Sequence, residues 1–455
     1  MLGHFLFLRK YLTSIGKIVN YGMNITDIDD KINKIVMEKY IKSDDPEKDI
    51  MKIYYEFVNK KTAEFWEAIA MLNIAPPTIT IRVSDVIEDI KKFIQVLIDK
   101  SYAYESNGSV YFNTIKYTEV YGECILSNST EDDMAVKTDY VSEKLDQKDF
   151  ALWKKSKDES TAGFESVWGR GTPGWHIECS VMSTLMFGET VDLHTGGIDL
   201  RFPHHHNEVL QSNVYHDKCD VFKHFIYTGH VRMLTNVESE KLEPTKSFIK
   251  MSQSLGNFIT VTDYIKTHSA NSLRLLFWMS PMDHQMDITY EFMERAILLD
   301  KRIDEFISSL RFNLKILNTV PSKIKPDKNV ELITDYMNQI DILLNKGFKI
   351  NEALSTFCSL IISTNEAISK KECDYVLLQR IYQYVVGLLY IIGYEIKEQY
   401  DSGDDKKFLD EILVLRNMIR KEKIYKMSDY IRDEMIPKLG YILQDTPDGE
   451  KINKL

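Results

Sequence analysis

The chain has 455 residues, 44% hydrophobic and 27% charged, an ordinary globular composition with room for roughly two to four domains. A formal net charge of −11 excludes nucleic-acid binding through overall charge, so any such contact must use local basic patches. Five scattered cysteines exclude a disulfide framework and point to a reducing compartment; no apolar run nears the ~20 residues of a membrane span, and the start MLGHFLFLRKYL lacks the basic leader and cleavage site of a signal peptide.

Taken in order, residues 5–13 read as a helix and 17–21 as a short strand. The run Asn24-Ile25-Thr26-Asp27-Ile28-Asp29-Asp30-Lys31 opens a helix over 28–41, with Thr26 or Asp27 as cap and acids in the first turn, where the helix dipole favours them. Residues 45–72 form a long amphipathic helix, with Ile50, Ile53, Tyr54, Phe57, Phe65 and Ile69 at helical spacing, ended by Ala75-Pro76-Pro77. A helix over 83–99 and a hairpin over 102–113, turning on Ser106-Asn107-Gly108, come next. Ser127 to Lys137 is polar, the composition of a mobile segment.

Residues 174–212 carry the densest chemistry. Cys179 sits in an apolar helical run from Trp175 to Met186; a strand over 190–193 and a Gly196-Gly197 turn follow. Pro203, whose fixed φ suits the first helical position, opens a second helix on which His204 and Glu208 lie four apart and share a face. A thiolate, an imidazole and a carboxylate converging from two helices are three candidate zinc ligands. A simpler reading stands beside this one. Cysteines on apolar helices are usually inert core, a histidine at a helix start often only caps it, and the Cys-to-His gap fits no zinc-ribbon spacing.

Phe222 to Tyr227 alternates as a strand does, and Leu234 to Phe248, charged and Pro-containing, reads as a surface excursion. Lys250-Met251-Ser252-Gln253-Ser254-Leu255-Gly256-Asn257 is a small polar loop with a flanking lysine and a glycine, the make-up a mobile phosphate clamp requires. Helices run from His268 past Arg311, and 321–329 is the best linker. Helices over 330–345, 350–370, 375–393 and 405–422 then carry apolar stripes that are mostly bundle core, before a last turn-rich segment. From Arg416 to Lys438 seven basic residues face four acidic ones, an excess that a solvated helix face explains about as well as RNA binding does.

Four runs in family order resemble cysteinyl-tRNA synthetases, of class I. They are Asn24 to Lys31, Pro173-Gly174-Trp175-His176-Ile177-Glu178-Cys179-Ser180, then Gly196-Gly197-x-Asp199-Leu200 through Phe202-Pro203-His204-His205 to Asn207-Glu208, and the loop from Lys250. Asp149 to Lys154 and the tail from Ser428 also match, and Leu200 to Pro203 with Asn257 to Thr260 resemble the eukaryotic cytosolic form. The resemblance implies an α/β fold: a Rossmann-like class I catalytic domain with a connective insertion, followed by an all-α C-terminal bundle. It divides the chain into the first part of the catalytic domain at 1–74, the insertion at 75–165, the second half at 166–262, a helical stem-contact region at 263–325 and an anticodon-binding domain at 326–455. It implies a cytoplasmic ligase that joins L-cysteine to ATP, with Mg²⁺, releasing pyrophosphate, and passes the cysteinyl group to tRNA(Cys). Cysteine and serine differ by one atom, and one zinc ion per chain, held by Cys179, His204 and Glu208, would select the thiolate. Trp175 would wall the side-chain pocket, Thr26 and Asp199 would hold the amine and ribose side of the adenylate, Gly197 would let the backbone approach the nucleotide, and Lys250 and Gln253 would stabilise the transferring phosphate.

Three departures matter. Gln253 replaces a lysine; an amide can donate a hydrogen bond to phosphate but supplies no charge, which leaves more to Lys250. His206 replaces an acidic residue and points away from the ligand face. The family's first strand, with a further zinc-binding cysteine, and its His-Ile-Gly-His loop have no clear match, so the chain reads as N-terminally truncated; His4 lies too close to Leu8-Arg9-Lys10-Tyr11-Leu12 to be that loop and is rejected as catalytic. Either Met1 is an internal methionine, or the chain is a catalytically impaired paralogue kept for tRNA binding.

Overall fold

The computed structural model describes residues 2–42, 49–124, 126, 143–156, 163–237, 245–250, 259–317, 328–397, 403–421, 424–438, 440–446 and 449–454. Helix α1 (Leu2–Ser14) buries Leu6, Phe7, Leu8 and Tyr11, and His4 lies within it. The first strand is β1 (Gly22–Ile25), not residues 17–21: it pairs in parallel with β2 (Ile79–Arg82), a partner more than fifty residues away that local pattern cannot reveal. Between them run α2 (Asp30–Lys42) and α3 (Ile50–Met71), the long helical crossover a parallel pair requires. Neither Thr26 nor Asp27 caps α2. Asp29 does so through Oδ1, 2.7 Å from the Lys31 amide. The carboxylate of Asp27, 3% exposed, accepts instead from Ser84 N and Oγ, at 3.0 and 2.6 Å, and ties the end of β1 to the chain after β2.

Helix α4 (Ile87–Asp99) buries Ile87, Ile90, Phe93, Ile94 and Leu97, one stripe at helical spacing. Strands β3 (Ala103–Ser106) and β4 (Ser109–Phe112) make the expected hairpin, with Asn107 and Gly108 at positive φ in its turn. After α5 (Thr114–Tyr121), β5 (Phe150–Lys155) and β6 (Gly171–Pro173) extend the hairpin into an antiparallel sheet of order β3-β4-β5-β6. The polar segment expected to be mobile at 127–137 lies outside the described residues.

Helix α6 (Trp175–Phe187) leads to β7 (His194–Gly197), and α7 (His206–His216) crosses to β8 (Phe225–Thr228), which pairs in parallel with β7. The strand thus lies at 194–197 and not 190–193, and Gly196-Gly197 is its end rather than a turn. A Cβ on Gly196 would lie 2.8 Å from Cε1 of His205, so glycine is there for close packing inside the strand. One core joins α4, β4, β5, α6 and α7 through Phe93, Ile94, Phe112, Trp153, Val181, Met182 and Leu210, so the region expected as an insertion packs directly under the helices that carry the site.

The expected surface excursion is a β-hairpin. β9 (Val231–Val237) pairs with β10 (Thr245–Lys250), which sets Arg232 opposite Lys250. Helices α8 (Val261–Ile265) and α9 (Ala270–Trp278) follow, then β11 (Met286–Ile288), parallel to β9. The parallel pairs β1-β2 and β7-β8 form separate sheets.

The chain divides into two units, residues 1–270 with 280–290, and 271–279 with 291–455, so most of the expected stem-contact region falls with the C-terminal helices. The second unit holds α10 (Tyr290–Leu317) from Glu291 onward, and α11 (Lys328–Asn345), α12 (Ile350–Ser369), α13 (Tyr375–Ile391) and α14 (Gly403–Lys421), the last four within a few residues of their expected bounds. After α15 (Tyr425–Tyr430), a π-helical turn and α16 (Ile436–Lys438), the last segment is not loose turns but the hairpin β12 (Tyr441–Thr446) with β13 (Gly449–Lys454), whose Leu443 packs with Leu409, Ile412, Ile431 and Ile436.

Candidate metal and adenylate site

The wall of the site is set by backbone contact. Gly174 caps α6 so close to β5 that a Cβ there would lie 1.9 Å from the Ala151 carbonyl oxygen, and its amide donates to the Leu152 carbonyl at 2.8 Å. That anchor fixes Trp175, His176 and Cys179 on α6. Opposite, Phe202 is extended (φ −137°, ψ 135°), so the helical run that presents His204 and Glu208 starts at Pro203. Ser180 Oγ donates to the Glu208 carbonyl at 3.4 Å and stitches the two helices together.

One donor atom from each of Cys179, His204 and Glu208 lies within 4.8 Å of the others. A second group, His194, His205 and Glu208, meets the same limit and shares the carboxylate. His204 Nε2 is 2.8 Å from Glu208 Oε1, and His194 Nε2 is 3.0 Å from Oε2. Yet both oxygens of Glu208, which is 1% exposed, are without a hydrogen bond among the described residues, as is His194 Nε2. At 2.8 and 3.0 Å the two imidazole nitrogens stand close enough to the carboxylate to share a proton with it or to surround a common ion with it. Buried orphaned carboxylate oxygens are costly unless something else satisfies them. A sulfur, an imidazole nitrogen and a carboxylate oxygen are a zinc-type donor set, so these residues fit the metal the sequence suggests.

Electrostatics point the same way. Burial pushes the Glu208 carboxyl up, but His194 and His204 beside it bring it well below the usual range, so it is an anion. Burial, then the charges of Glu208 and Glu178, push the Cys179 thiol well up; only a bound cation would make its thiolate favourable. Burial lowers His205 to about 3 and His206 to about 4, so both are neutral.

The other expected residues fall around this centre unevenly. Trp175, 45% exposed, stacks on His204 with ring centroids 4.2 Å apart. Thr26 is linked to the centre through Asn24, whose amide donates to Thr26 Oγ1 at 3.4 Å and to Cys179 Sγ at 3.3 Å. Asp199 follows β7 on a short 3-10 turn, its carboxylate 3.9 Å from His230 Nδ1. Gly197 ends β7 opposite Thr228. Lys250 ends β10, and Gln253 lies outside the described residues. His205 meets Tyr227 OH through Nδ1 at 3.1 Å. Asn24, His176 and His194 were not singled out from the sequence, although Asn24 and His176 both lie in runs that resemble the family.

Two parallel strand pairs joined by helical crossovers agree with the fold of a class I tRNA synthetase catalytic domain, and similarity to known proteins shows that family. A family model described as tRNA synthetases class I (C) catalytic domain matches residues 4–298. The chain is similar to the cysteine–tRNA ligase of Ligilactobacillus salivarius, 34% identical over 454 residues, covering 98% of this chain and 88% of that one. It is similar also to that of Methanococcus maripaludis, 35% identical over 449 residues, covering 97% and 87%. Among solved structures, a Mycobacterium tuberculosis methionyl-tRNA synthetase with bound methionyl-adenylate shares the fold at 12% identity, with TM-score 0.59 and 86% and 85% of the two chains covered. The chain belongs to the class I tRNA synthetase family, among the cysteine–tRNA ligases. The ligase name of these relatives does not favour the reading as a non-catalytic paralogue.

Proposed function

We propose that this chain activates L-cysteine with ATP and transfers the cysteinyl group to tRNA(Cys), with Cys179, His204 and Glu208 holding one zinc ion. The observation that carries the metal is the convergence of these three donors within 4.8 Å around a buried carboxylate whose oxygens accept no hydrogen bond among the described residues. Bound zinc supplies a soft centre that prefers a thiolate to a hydroxyl, a discrimination that a pocket of apolar walls makes poorly between two near-isosteric amino acids. Trp175 covers His204 and walls the side-chain pocket. Asn24 bridges Cys179 to Thr26, which with Asp199 faces the amine and ribose side of the adenylate. Gly197 leaves room for the nucleotide. Lys250 and Gln253 contact the phosphates of ATP, with Mg²⁺, and the helices of the second unit bind the tRNA stem and anticodon. The reaction belongs to the cytoplasm, in keeping with the wide scatter of the five cysteines along the sequence; among the described residues no helix is long and apolar enough to cross a membrane.

ATP–pyrophosphate exchange tests the reading. Exchange should require cysteine and ignore serine, and Cys179→Ala should abolish it. Equal exchange with serine, or with no amino acid, would remove the proposal.

A further inference from the structure

Both ring nitrogens of His204 are engaged, and they face different partners. Nε2 looks into the Cys179–Glu208 group, 2.8 Å from Glu208 Oε1. Nδ1 lies 2.9 Å from Nδ1 of His176. Two imidazole nitrogens at that distance hold one proton between them: with a proton on each they repel, and with none two lone pairs meet. Zinc can take His204 Nε2 only through its lone pair, and in a neutral imidazole the proton is then on Nδ1. His176 Nδ1 must accept it, which leaves the proton of His176 on Nε2. The ring planes are held by packing. Trp175 stacks on His204, with planes 26° apart, and Phe150 meets His176 edge to face at 89°, with centroids 5.6 Å apart. His176 and Cys179 are three apart on α6, so one helix face delivers both the thiol and the acceptor.

We infer that His176 is a positioning residue that fixes His204 in its Nδ1–H tautomer and so aims the Nε2 lone pair at the metal. The inference rests on the zinc reading above and adds to it the residue that orients a ligand. Such an outer partner sets ligand orientation and basicity, and losing it typically weakens metal binding while leaving the ligand in place.

The test compares the whole chain with His176→Leu, which removes the acceptor, and His176→Asn, whose Oδ1 can take the place of Nδ1. Zinc affinity is measured by competition with a chromophoric chelator, and the histidine tautomers of the zinc-loaded protein are read from ¹⁵N imidazole spectra. Affinity should fall about 10–100-fold in the Leu variant and stay within about threefold in the Asn variant. The spectra should place the His204 proton on Nδ1 and the His176 proton on Nε2. Equal affinity in all three proteins, or a proton on His176 Nδ1 in the loaded protein, overturns the inference and leaves the zinc site standing. If near-UV circular dichroism finds the Leu variant unfolded, the wild-type tautomers and the Asn variant decide. A wild-type chain that binds no zinc removes the zinc reading, and this inference with it.

Discussion

Two buried acidic clusters, one in each unit, make an instructive pair. Asp300 on α10 is 7% exposed and well supplied: Tyr394 OH lies 2.6 Å from its Oδ1 and 2.9 Å from Asp304 Oδ1, and Lys397 pairs with the other Asp304 oxygen. Glu208 on α7 is more deeply buried, at 1% exposure, and neither of its oxygens accepts a hydrogen bond among the described residues. A carboxylate with its donors in place is complete as it stands and holds helices together. One that has two imidazoles at 2.8 and 3.0 Å and a thiol within 4.8 Å, a metal-type donor set, is arranged for a guest. Burial alone would have ranked the two alike; the kind of neighbour separates them, a hydroxyl and an ammonium beside Asp300 and Asp304 against imidazoles and a thiol beside Glu208.

The largest effect that could break the comparison is on metal binding. Glu208→Gln keeps the shape of the side chain and removes its charge, so zinc affinity should fall at least about 100-fold, or ~2.8 kcal/mol. The metal-free protein should lose little stability or gain some, because an incompletely satisfied buried anion is gone. Chelator competition and urea unfolding of the metal-free protein measure both. A variant that binds zinc normally yet unfolds far more easily would place Glu208 with Asp300, as a structural residue.

The sequence exposed the two clusters to different degrees. That His204 and Glu208 share a helix face was legible from spacing alone, since four residues on one helix is a local rule, while their reading as ligands came from the resemblance. Cys179 was equally consistent with inert core until the surrounding motif was weighed. His194 and Asn24 reach the centre from strands β7 and β1, whose registers depend on partners at 225–228 and 79–82, and so both strands were placed four to five residues early. Gly196-Gly197 looked like a turn because glycine usually marks one, whereas here it clears space for His205. The hairpin at 231–250 was obscured by its charges. The bundle helices, which follow a local period, were read to within a few residues, but nothing in that period distinguishes Tyr394 and Asp300 as partners ninety-four residues apart.

A middle-sized effect sharpens the satisfied side. Tyr394→Phe removes one hydroxyl, whose single proton is shared between Asp300 Oδ1 and Asp304 Oδ1, and leaves the packing of the ring unchanged. Stability of the second unit should drop by about 1–3 kcal/mol, the range for leaving a buried polar group without its donor. Urea or thermal unfolding followed by tyrosine and far-UV signals measures this, while zinc affinity should not change. A loss well under that range would mean water replaces the hydroxyl and that the cluster is less enclosed than Asp300's exposure implies.

The smallest effect concerns Lys397, which completes the same cluster from its rim. Its side chain is 64% exposed, while its partner Asp304 is 26% exposed and already accepts from Tyr394. An ion pair with one member this wet gains little, because water competes for the ammonium and ordering a long side chain opposes the attraction. Lys397→Ala should therefore cost less than about 1 kcal/mol, and salt should shrink the cost further, since screening acts on exposed charges over a Debye length of ~10 Å at 0.1 M. Combined with Tyr394→Phe in a double-mutant cycle, the two changes should couple, because both donors serve the Asp304 carboxylate. A single-mutant cost near that of Tyr394→Phe and indifferent to salt would reverse the order. The cluster would then be held by charge more than by its buried hydroxyl, and the contrast with Glu208 would turn on the number of cations nearby instead of on the kind of donor beside each carboxylate.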